Sequence, residues 1–330
     1  MLTKIKIKSL FNVYDYDIDL TNADKTTVKF LTAPNGFGKT TILDFINAAM
    51  HQSYDKMFLV PFNQFELYYD ETGSDTIYRY AVARVEEKSA AADTDLVQTL
   101  SKTLNIRLQR INGSEETLIE QFSIKQMADG AITTEGSTDN TQMFFVARTC
   151  FYLTDERSLV QKKDDIRVEE ETLVMEDIQV SPYPKDLKEI LNSPEKSKQF
   201  ESQIQAFRDI INRCDFANKQ LEIDKRFGFR FVSNDEFHTI LALDQLSSGE
   251  KQMIIQVYEL LFRAQSGTLV LIDEPELSLH MMWQMNYLKN LTEIAQLRGF
   301  QCIVATHSPQ IFNSLWSKSV DLFTLSSSQA

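Results

Sequence analysis

Ala33-Pro34-Asn35-Gly36-Phe37-Gly38-Lys39-Thr40-Thr41 decides how the rest of this 330-residue chain is read. The apolar run Val28-Lys29-Phe30-Leu31-Thr32 before it reads as a buried strand. Ile42-Leu43-Asp44-Phe45-Ile46-Asn47-Ala48-Ala49-Met50 after it carries apolar residues at helical spacing. A strand, a glycine-bearing turn closing on Gly-Lys-Thr, and a helix form the context of a phosphate-binding loop. A turn with few side chains lets successive backbone N–H groups point at phosphate oxygens. The helix start adds the positive end of its dipole. Lys39 supplies a point charge for β- and γ-phosphates, and the Thr40 hydroxyl can ligate Mg²⁺. Ala33 stands where such loops usually begin with glycine, which stiffens the turn slightly. An ordinary strand–turn–helix with a surface lysine would share this outline.

Three stretches near the other end of the chain carry matching chemistry. Leu269-Val270-Leu271-Ile272-Asp273-Glu274-Pro275 is an apolar run ending in two acids, which places Asp273 at the carboxyl end of a strand, where open α/β sheets bind ligands. Asp273 there would hold Mg²⁺ through its hydration shell, and Glu274 could polarise a water for in-line attack on a γ-phosphate. Alone, such a pair is often just a polar strand end. Leu246-Ser247-Ser248-Gly249-Glu250-Lys251-Gln252 leads into a helix, where a serine hydroxyl and the first N–H groups can form an anion site. The same string is also what a plain helix cap looks like. Val304-Ala305-Thr306-His307-Ser308-Pro309 puts His307 at the end of the next strand, within reach of a γ-phosphate. His51 and His238 read as structural.

Between these motifs the chain changes character. Lys4 to Ser9 and Tyr14 to Leu20 read as a strand pair turning at Phe11-Asn12. Met57 to Val60, Phe65 to Tyr69 and Thr76 to Ala83 follow, the last across a turn bearing Gly73. Leu104 to Ile111, the turn Asn112-Gly113-Ser114, and Glu116 to Ile124 make a hairpin. Ser89 to Asp95 and Ala128 to Asn140 read as loops, and Phe144 to Ala147 and Cys150 to Leu153 as apolar runs. The first 145 residues are thus expected to be mostly β with one firm helix. Gln161 to Asp177 is charge-rich, and its acids Glu169-Glu170-Glu171 read as a solvated face. Lys185 to Leu191 and Pro194 to Arg213 read as a helical insertion, with Phe200, Ile204, Phe207, Ile210 and Ile211 on one face. Leu221 to Ile223, Phe227 to Val232 and Thr239 to Leu243 return to strand pattern. Helix and strand then alternate: helix Gly249 to Phe262, strand Thr268 to Ile272, helix Leu279 to Leu297, strand Cys302 to Ala305, and a last strand near Leu322 to Leu325. Such alternation argues for a mostly parallel sheet.

Composition narrows the functional classes. Hydrophobic content of 43% and charged content of 25% fit a globular protein, and no apolar run approaches the ~20 residues of a membrane helix. The N-terminal alternation of lysine with apolar residues is a strand pattern and not a signal peptide, so a cytoplasmic protein without membrane attachment is expected. Three dispersed cysteines give neither a disulfide framework nor a zinc site. A net charge of −13 disfavours a surface built to grip nucleic acid, though it leaves room for a local basic groove.

The four motifs in this order resemble the ATP-binding-cassette ATPases. Ala33 to Thr41 resembles Walker A, Leu246 to Glu250 the signature motif, Leu269 to Glu274 Walker B, and His307 the switch histidine. Glu276-Leu277-Ser278-Leu279-His280 takes the place of the D-loop. With Ala305 to Pro309, it resembles the branch that contains structural-maintenance-of-chromosomes (SMC), RecF-type recombination-mediator and OLD-type ATPases. Tyr152 to Arg157 is similar to a segment before the helical lobe in small bacterial AAA-type members, and Gln64 is the candidate Q-loop residue. The resemblance covers about the first fifty and last ninety residues.

It implies an α/β fold, a two-lobed ABC ATPase head with a mostly parallel sheet core, an antiparallel β lobe and a helical insertion. The expected boundaries are an N-terminal lobe over residues 1–153, the insertion over 154–220, and a C-terminal lobe over 221–330. It implies ATP and Mg²⁺ as cofactors, with Asn35, Gly36, Phe37, Gly38, Lys39, Thr40 and Thr41 on the nucleotide. Thr40 and Asp273 would serve the metal, and Glu274 and His307 the catalysis. Ser247 and Gly249 would contact the γ-phosphate held by Lys39 of a second copy, making a homodimer or higher homo-oligomer. Ser248 replaces the usual second signature glycine. No heptad run supplies a tethering arm, and few residues follow His307. Effector chemistry is therefore expected from a separate chain, a nuclease or toxin, under a regulatory ATPase of antiphage defence. The alternative is a DNA repair or recombination ATPase clamping a duplex across the dimer with Lys196, Lys198, Arg208 and Arg213.

Overall fold

The computed structural model describes the chain apart from residues 22–26, 72–73, 89–99, 128–129, 147, 154–181, 278, 312–315 and 328–330. Several expectations lie outside the described residues: the Gly73 turn, the Ser89 to Asp95 loop, the Thr154 to Arg157 segment, the charge-rich Gln161 to Asp177 stretch, and Ser278. The described residues fall into two compact units, Met1–Cys150 with Trp316–Ala330, and Phe151–Leu315. Antiparallel sheets, parallel strand pairs and helices together make the fold mixed α/β.

The first unit opens with β1 (Leu2–Leu10) and β2 (Tyr14–Asp19), an antiparallel pair. The turn between them takes Phe11 and Asn12 into the left-handed region, at φ 55° and 61°. Ile5 and Ile7 of β1 are buried, as the lysine alternation predicts. β3 (Val28–Thr32) is buried at all five positions and runs into the phosphate loop and α1 (Lys39–His51). The apolar face of α1 anchors it in the core, with the Phe45 ring 4.9 Å from Phe62 and 5.5 Å from Phe65. Met57 to Leu59 lie within a short helix, α2 (Asp55–Leu59).

β4 (Gln64–Asp70), β5 (Thr76–Lys88), β6 (Leu100–Asn112), β7 (Glu115–Gln126) and β8 (Ile132–Glu135) complete a seven-stranded antiparallel sheet, ordered β2-β1-β4-β5-β6-β7-β8. Asn112 pairs with Glu115, which leaves Gly113 and Ser114 as the two-residue hairpin turn. Two expectations fail beyond this hairpin. The stretch read as a loop up to Asn140 contains β8, and α3 (Asp139–Val146) takes up the apolar Phe144 and Phe145. A distant side chain starts that helix: Glu120 on β7 accepts from the Asn140 N–H at 3.1 Å and the Thr141 N–H at 2.7 Å. Phe145 then packs on Tyr80, ring centres 5.1 Å apart. β9 (Cys150–Leu153) closes this stretch.

The second unit carries α4 (Pro182–Asn192), α5 (Pro194–Gln199) and α6 (Glu201–Arg213); the helix expected over Pro194 to Arg213 is broken in two at Phe200. Ile204, Phe207, Ile210 and Ile211 are buried on the predicted face of α6, while Phe200 is half-buried. β10 (Lys219–Asp224), β11 (Gly228–Ser233) and β12 (Ile240–Leu241) form a small antiparallel sheet. α7 (Ser248–Tyr258) continues into a π-helical turn, Glu259–Arg263. β13 (Leu269–Asp273), α8 (Met281–Arg298) and β14 (Gln301–Thr306) follow. β13 and β14 pair in parallel with Asp273 opposite Ala305, and every residue of β13 is buried, as suits a parallel strand covered on both faces.

The chain returns to the first unit with β15 (Ser319–Asp321), parallel to β3. The strand expected near Leu322 to Leu325 is instead α9 (Leu322–Ser327). Asp321 ends the strand and starts the helix, accepting from the Phe323 N–H at 3.1 Å and the Thr324 hydroxyl at 2.6 Å. Cys214 and Cys302 are buried free thiols, and Cys150 is half-buried. Among the described residues no helix is long and apolar enough to cross a membrane.

Candidate functional site

The candidate phosphate loop is built by backbone geometry. Asn35 and Gly36 are exposed at its tip, and Phe37 is half-buried. Gly36 and Gly38 both hold left-handed conformations, at φ 88° and 84°, which L side chains resist. At Gly38 a Cβ would also lie 2.7 Å from Leu10 Cδ2, whereas around Gly36 the space is open. Gly38 is the residue before α1 and brings no side-chain cap to its first N–H groups. Those donors and the helix dipole suit an anion.

Lys39 is only 5% exposed. Its ammonium donates to the Ala33 carbonyl at 2.9 Å and the Pro34 carbonyl at 3.4 Å, so the charge lies folded over the loop. Thr40 is exposed and Thr41 half-buried at the helix start. The loop is braced from outside: the Tyr16 hydroxyl donates to the Phe37 carbonyl at 3.0 Å, and the Phe37 ring packs on Tyr14 and Phe323. A strand-to-helix turn with two left-handed glycines and a lysine over its mouth fits a nucleotide's phosphates. The exposed Thr40 hydroxyl fits an accompanying Mg²⁺, which would neutralise phosphate charge there.

The acidic strand end lies in the second unit. Asp273 closes β13 and is 7% exposed. Glu274 takes a left-handed backbone at φ 44°, and its N–H donates to the Ala305 carbonyl at 2.9 Å, so the chain turns sharply where the strand stops. β14 ends beside it. His307 Nδ1 is in hydrogen-bond contact with Glu274 Oε2 and lies 3.1 Å from Glu276 Oε1. Ligand atoms of Glu274, Glu276 and His307 all lie within 4.8 Å of one another. Glu276 is 6% exposed, and its Oε1 accepts from the Thr306 hydroxyl at 2.5 Å, the His307 N–H at 2.9 Å and the Ser308 N–H at 3.1 Å. Burial pushes the Glu276 carboxyl above the usual carboxylate range. The Thr306 hydroxyl and the His307 amide pull it back, while the Glu274 charge adds to the rise. Chemically, Glu274 can take a proton from a water, and the Nδ1 contact orients the His307 ring, leaving Nε2 as its remaining polar atom.

Ser247 caps α7 in a complete capping box: its hydroxyl accepts from the Glu250 N–H at 3.3 Å, and Glu250 Oε2 accepts from the Ser247 N–H at 2.7 Å. Both Glu250 oxygens also bind Lys219, each at 2.9 Å. Because the serine oxygen is the acceptor in this cap, the cap does not use its O–H proton. Gly249 is buried in the first turn. Gln64 begins β4 and donates to Glu66 at 2.7 Å, and His51 contacts the Asn47 carbonyl within α1.

The expected site residues thus divide between the units. Asn35 to Thr41 shape one loop in the first unit; Ser247, Gly249, Asp273, Glu274 and His307 belong to the second. Within the second, Glu274 and His307 come together. Glu276, read from the sequence as the start of the D-loop string, is the member to which that reading gave no role of its own. Its only signal was a third acid closely following the apolar run.

Residues 151–313 match the family model described as "AAA domain, putative AbiEii toxin, Type IV TA system". That is consistent with the SMC/RecF/OLD-like resemblance carried by the motifs. A stretch of 97 residues is 33% identical to "Retron Ec83 probable ATPase" of Escherichia coli, covering 26% of this chain and 18% of that protein. The match therefore spans less than a fifth of the curated relative. Among solved structures, an SMC head bound to the C-terminal winged-helix domain of ScpA superposes at TM-score 0.48 and 11% identity, covering 94% of this chain and 90% of that one. The SMC head domain from Thermotoga maritima gives 0.44 and 14%, with the same coverage of both chains.

Proposed function

We propose that this chain binds and hydrolyses ATP with Mg²⁺, assembles through nucleotide-sandwiched dimers, and controls a separate effector, a nuclease or toxin, in bacterial antiphage defence. The observation that carries the ATPase reading is the Glu274–His307 contact at the ends of two parallel strands. A carboxylate beside a histidine suits a general base for attack of water on the β–γ phosphoanhydride of ATP, and this supports the reading. In this reading Asn35 to Thr41 hold the phosphates, Thr40 and Asp273 serve the cation, and Ser247 and Gly249 meet the γ-phosphate held by a second copy. The defence role draws on the retron ATPase similarity and the toxin–antitoxin description of the matching family. Cytoplasmic action fits a nucleotide-driven regulator.

The DNA-clamp alternative draws less support. Of its candidate basic residues, Arg213 is committed within its own unit, bonding Glu293 at 3.0 Å and Asn290 at 3.2 Å. The deciding experiment is a tagged pull-down from the native host, comparing wild type, Lys39→Ala and Glu274→Gln by mass spectrometry. A nuclease or toxin retained in a nucleotide-dependent way supports the regulator. Nucleic acid recovered without a stoichiometric protein partner moves the reading to repair.

A further inference from the structure

Glu276 has no catalytic or ligand-binding role in the reading above, yet its Oε1 is engaged by three donors at the strand ends. One buried oxygen, Oε1, receives three donors from three successive residues: the Thr306 hydroxyl, the His307 N–H and the Ser308 N–H. Those residues are the point where β14 stops and the chain turns away. Two backbone amides that leave a parallel strand need new acceptors. A neutral strand end would meet this need with a turn carbonyl or water; here a carboxylate on the neighbouring strand's exit loop does it instead. The consequence is geometric. The His307 backbone is pinned on the same side as Glu274, and its ring nitrogen Nδ1 faces both acids. Ser308, held by Glu276 and by Thr306 Oγ1 at 3.0 Å, passes the restraint on through its hydroxyl to Gln284 of α8 at 2.9 Å.

We propose that Glu276 is a positioning residue: it clamps the turn after β14 so that His307 is held against Glu274 in a fixed orientation before nucleotide arrives. The proposal rests on the ATPase reading for its catalytic consequence, but the clamp itself does not. Glu276 acts through His307 and is assigned no contact with the reacting atoms. Misplacing a positioned group by about 1 Å can cost ~10²-fold in rate. A side chain acting only on position should therefore appear in kcat and leave KM for ATP alone.

The test compares wild type with Glu276→Ala and Glu276→Gln. Glutamine keeps a carbonyl oxygen for the three donors; alanine removes it. Amide hydrogen exchange supplies a readout independent of ATP. The His307 and Ser308 amides should exchange slowly in wild type and in the Gln variant, and quickly in the Ala variant, while β13 and β14 stay protected in all three. Steady-state turnover should fall ~10²-fold in kcat for Ala at unchanged KM, with Gln returning most of it. If the Ala variant does not fold, Thr306→Val removes one donor to Glu276 and one acceptor of the Ser308 N–H, so the readout is the His307 amide, which bonds Glu276 and not Thr306; faster exchange there is expected, and unchanged exchange overturns the clamp. Unchanged exchange in Glu276→Ala overturns the clamp. Fast exchange with wild-type kcat overturns the positioning role, as does a Gln variant that protects both amides yet turns over as slowly as Ala. A wild-type chain that binds no ATP defeats the ATPase reading instead, and the exchange data still decide the clamp.

Discussion

Glu274 and His307 stand at the exits of two neighbouring parallel strands, and the carboxylate of one accepts the imidazole Nδ1 contact of the other. A base held against a histidine in this way has a defined direction, and Glu274 is only partly exposed, with 17% of its side chain open. Replacing the carboxylate by an amide keeps the volume and removes the basicity. Glu274→Gln should therefore bind ATP as wild type does while turning it over ~10²–10⁴-fold more slowly. Phosphate release and fluorescent-nucleotide binding, measured side by side, check this. Hydrolysis at the wild-type rate would place the base elsewhere.

Lys39 holds its charge against the loop that the proposed function gives to the phosphates. With its ammonium on the Ala33 and Pro34 carbonyls, it can pass to phosphate oxygens without leaving a buried cation unsolvated. Lys39→Ala should abolish ATP binding in a titration with a fluorescent analogue, with the protein still folded by circular dichroism. Normal affinity in this variant would sink the phosphate-loop assignment.

The two loop glycines are not equivalent. Alanine at Gly36 meets only the left-handed backbone penalty, roughly 1–2 kcal/mol. Alanine at Gly38 meets that penalty and also Leu10 Cδ2 at 2.7 Å, which adds roughly 1–3 kcal/mol of overpacking. Urea denaturation should rank Gly38→Ala below Gly36→Ala in stability, and equal losses would show that the Leu10 contact relaxes freely.

The contrast between loop and clamp shows what a sequence can and cannot reveal. The strand, turn and helix around Lys39 were legible because strand, glycines, lysine and helix are contiguous, and each residue type has a local cause. β13 was legible because an all-apolar run ending in acids fits few other structures. Glu276 was not, because its donors lie some thirty residues away, at the end of another strand. α3 was missed for the same reason: its cap is Glu120, on a strand of the neighbouring sheet. The last apolar stretch was read as a strand because Leu322 to Leu325 is too short for periodicity to separate helix from strand, and the Asp321 cap decided it. The strand Ile132–Glu135, exposed throughout, offers no apolar alternation to read.

Ser247 carries a structural duty whatever else it does. Removing its hydroxyl opens the capping box, and Ser247→Ala should cost about 1 kcal/mol by denaturant unfolding, with Ser247→Thr near wild type. Ser247→Arg should leave ATP binding to the monomer intact while blocking ATP-dependent assembly, read by sedimentation velocity. Loss of monomer binding in that variant would count against a site shared between two copies.

Glu276 also predicts a pH dependence with a definite sign. Burial holds its carboxyl above the ordinary value, while in the unfolded chain a glutamate releases its proton near about 4.3. Below that pH the group is protonated in both states and contributes nothing. Between the unfolded value and the raised native one, the folded protein binds more protons than the unfolded chain, so stability falls as pH rises. Above the native value both states are ionised and the loss is complete. Glutamine cannot ionise, and groups remote from the site titrate alike in both proteins and cancel in a difference; what remains is Glu276 together with its electrostatic neighbours Glu274 and His307. The stability of Glu276→Gln relative to wild type should therefore climb as pH rises through this window, read from urea midpoints across mildly acidic to neutral pH. A difference that stays flat would mean that the hydrogen bonds from Thr306, His307 and Ser308 fully offset the burial of the charge.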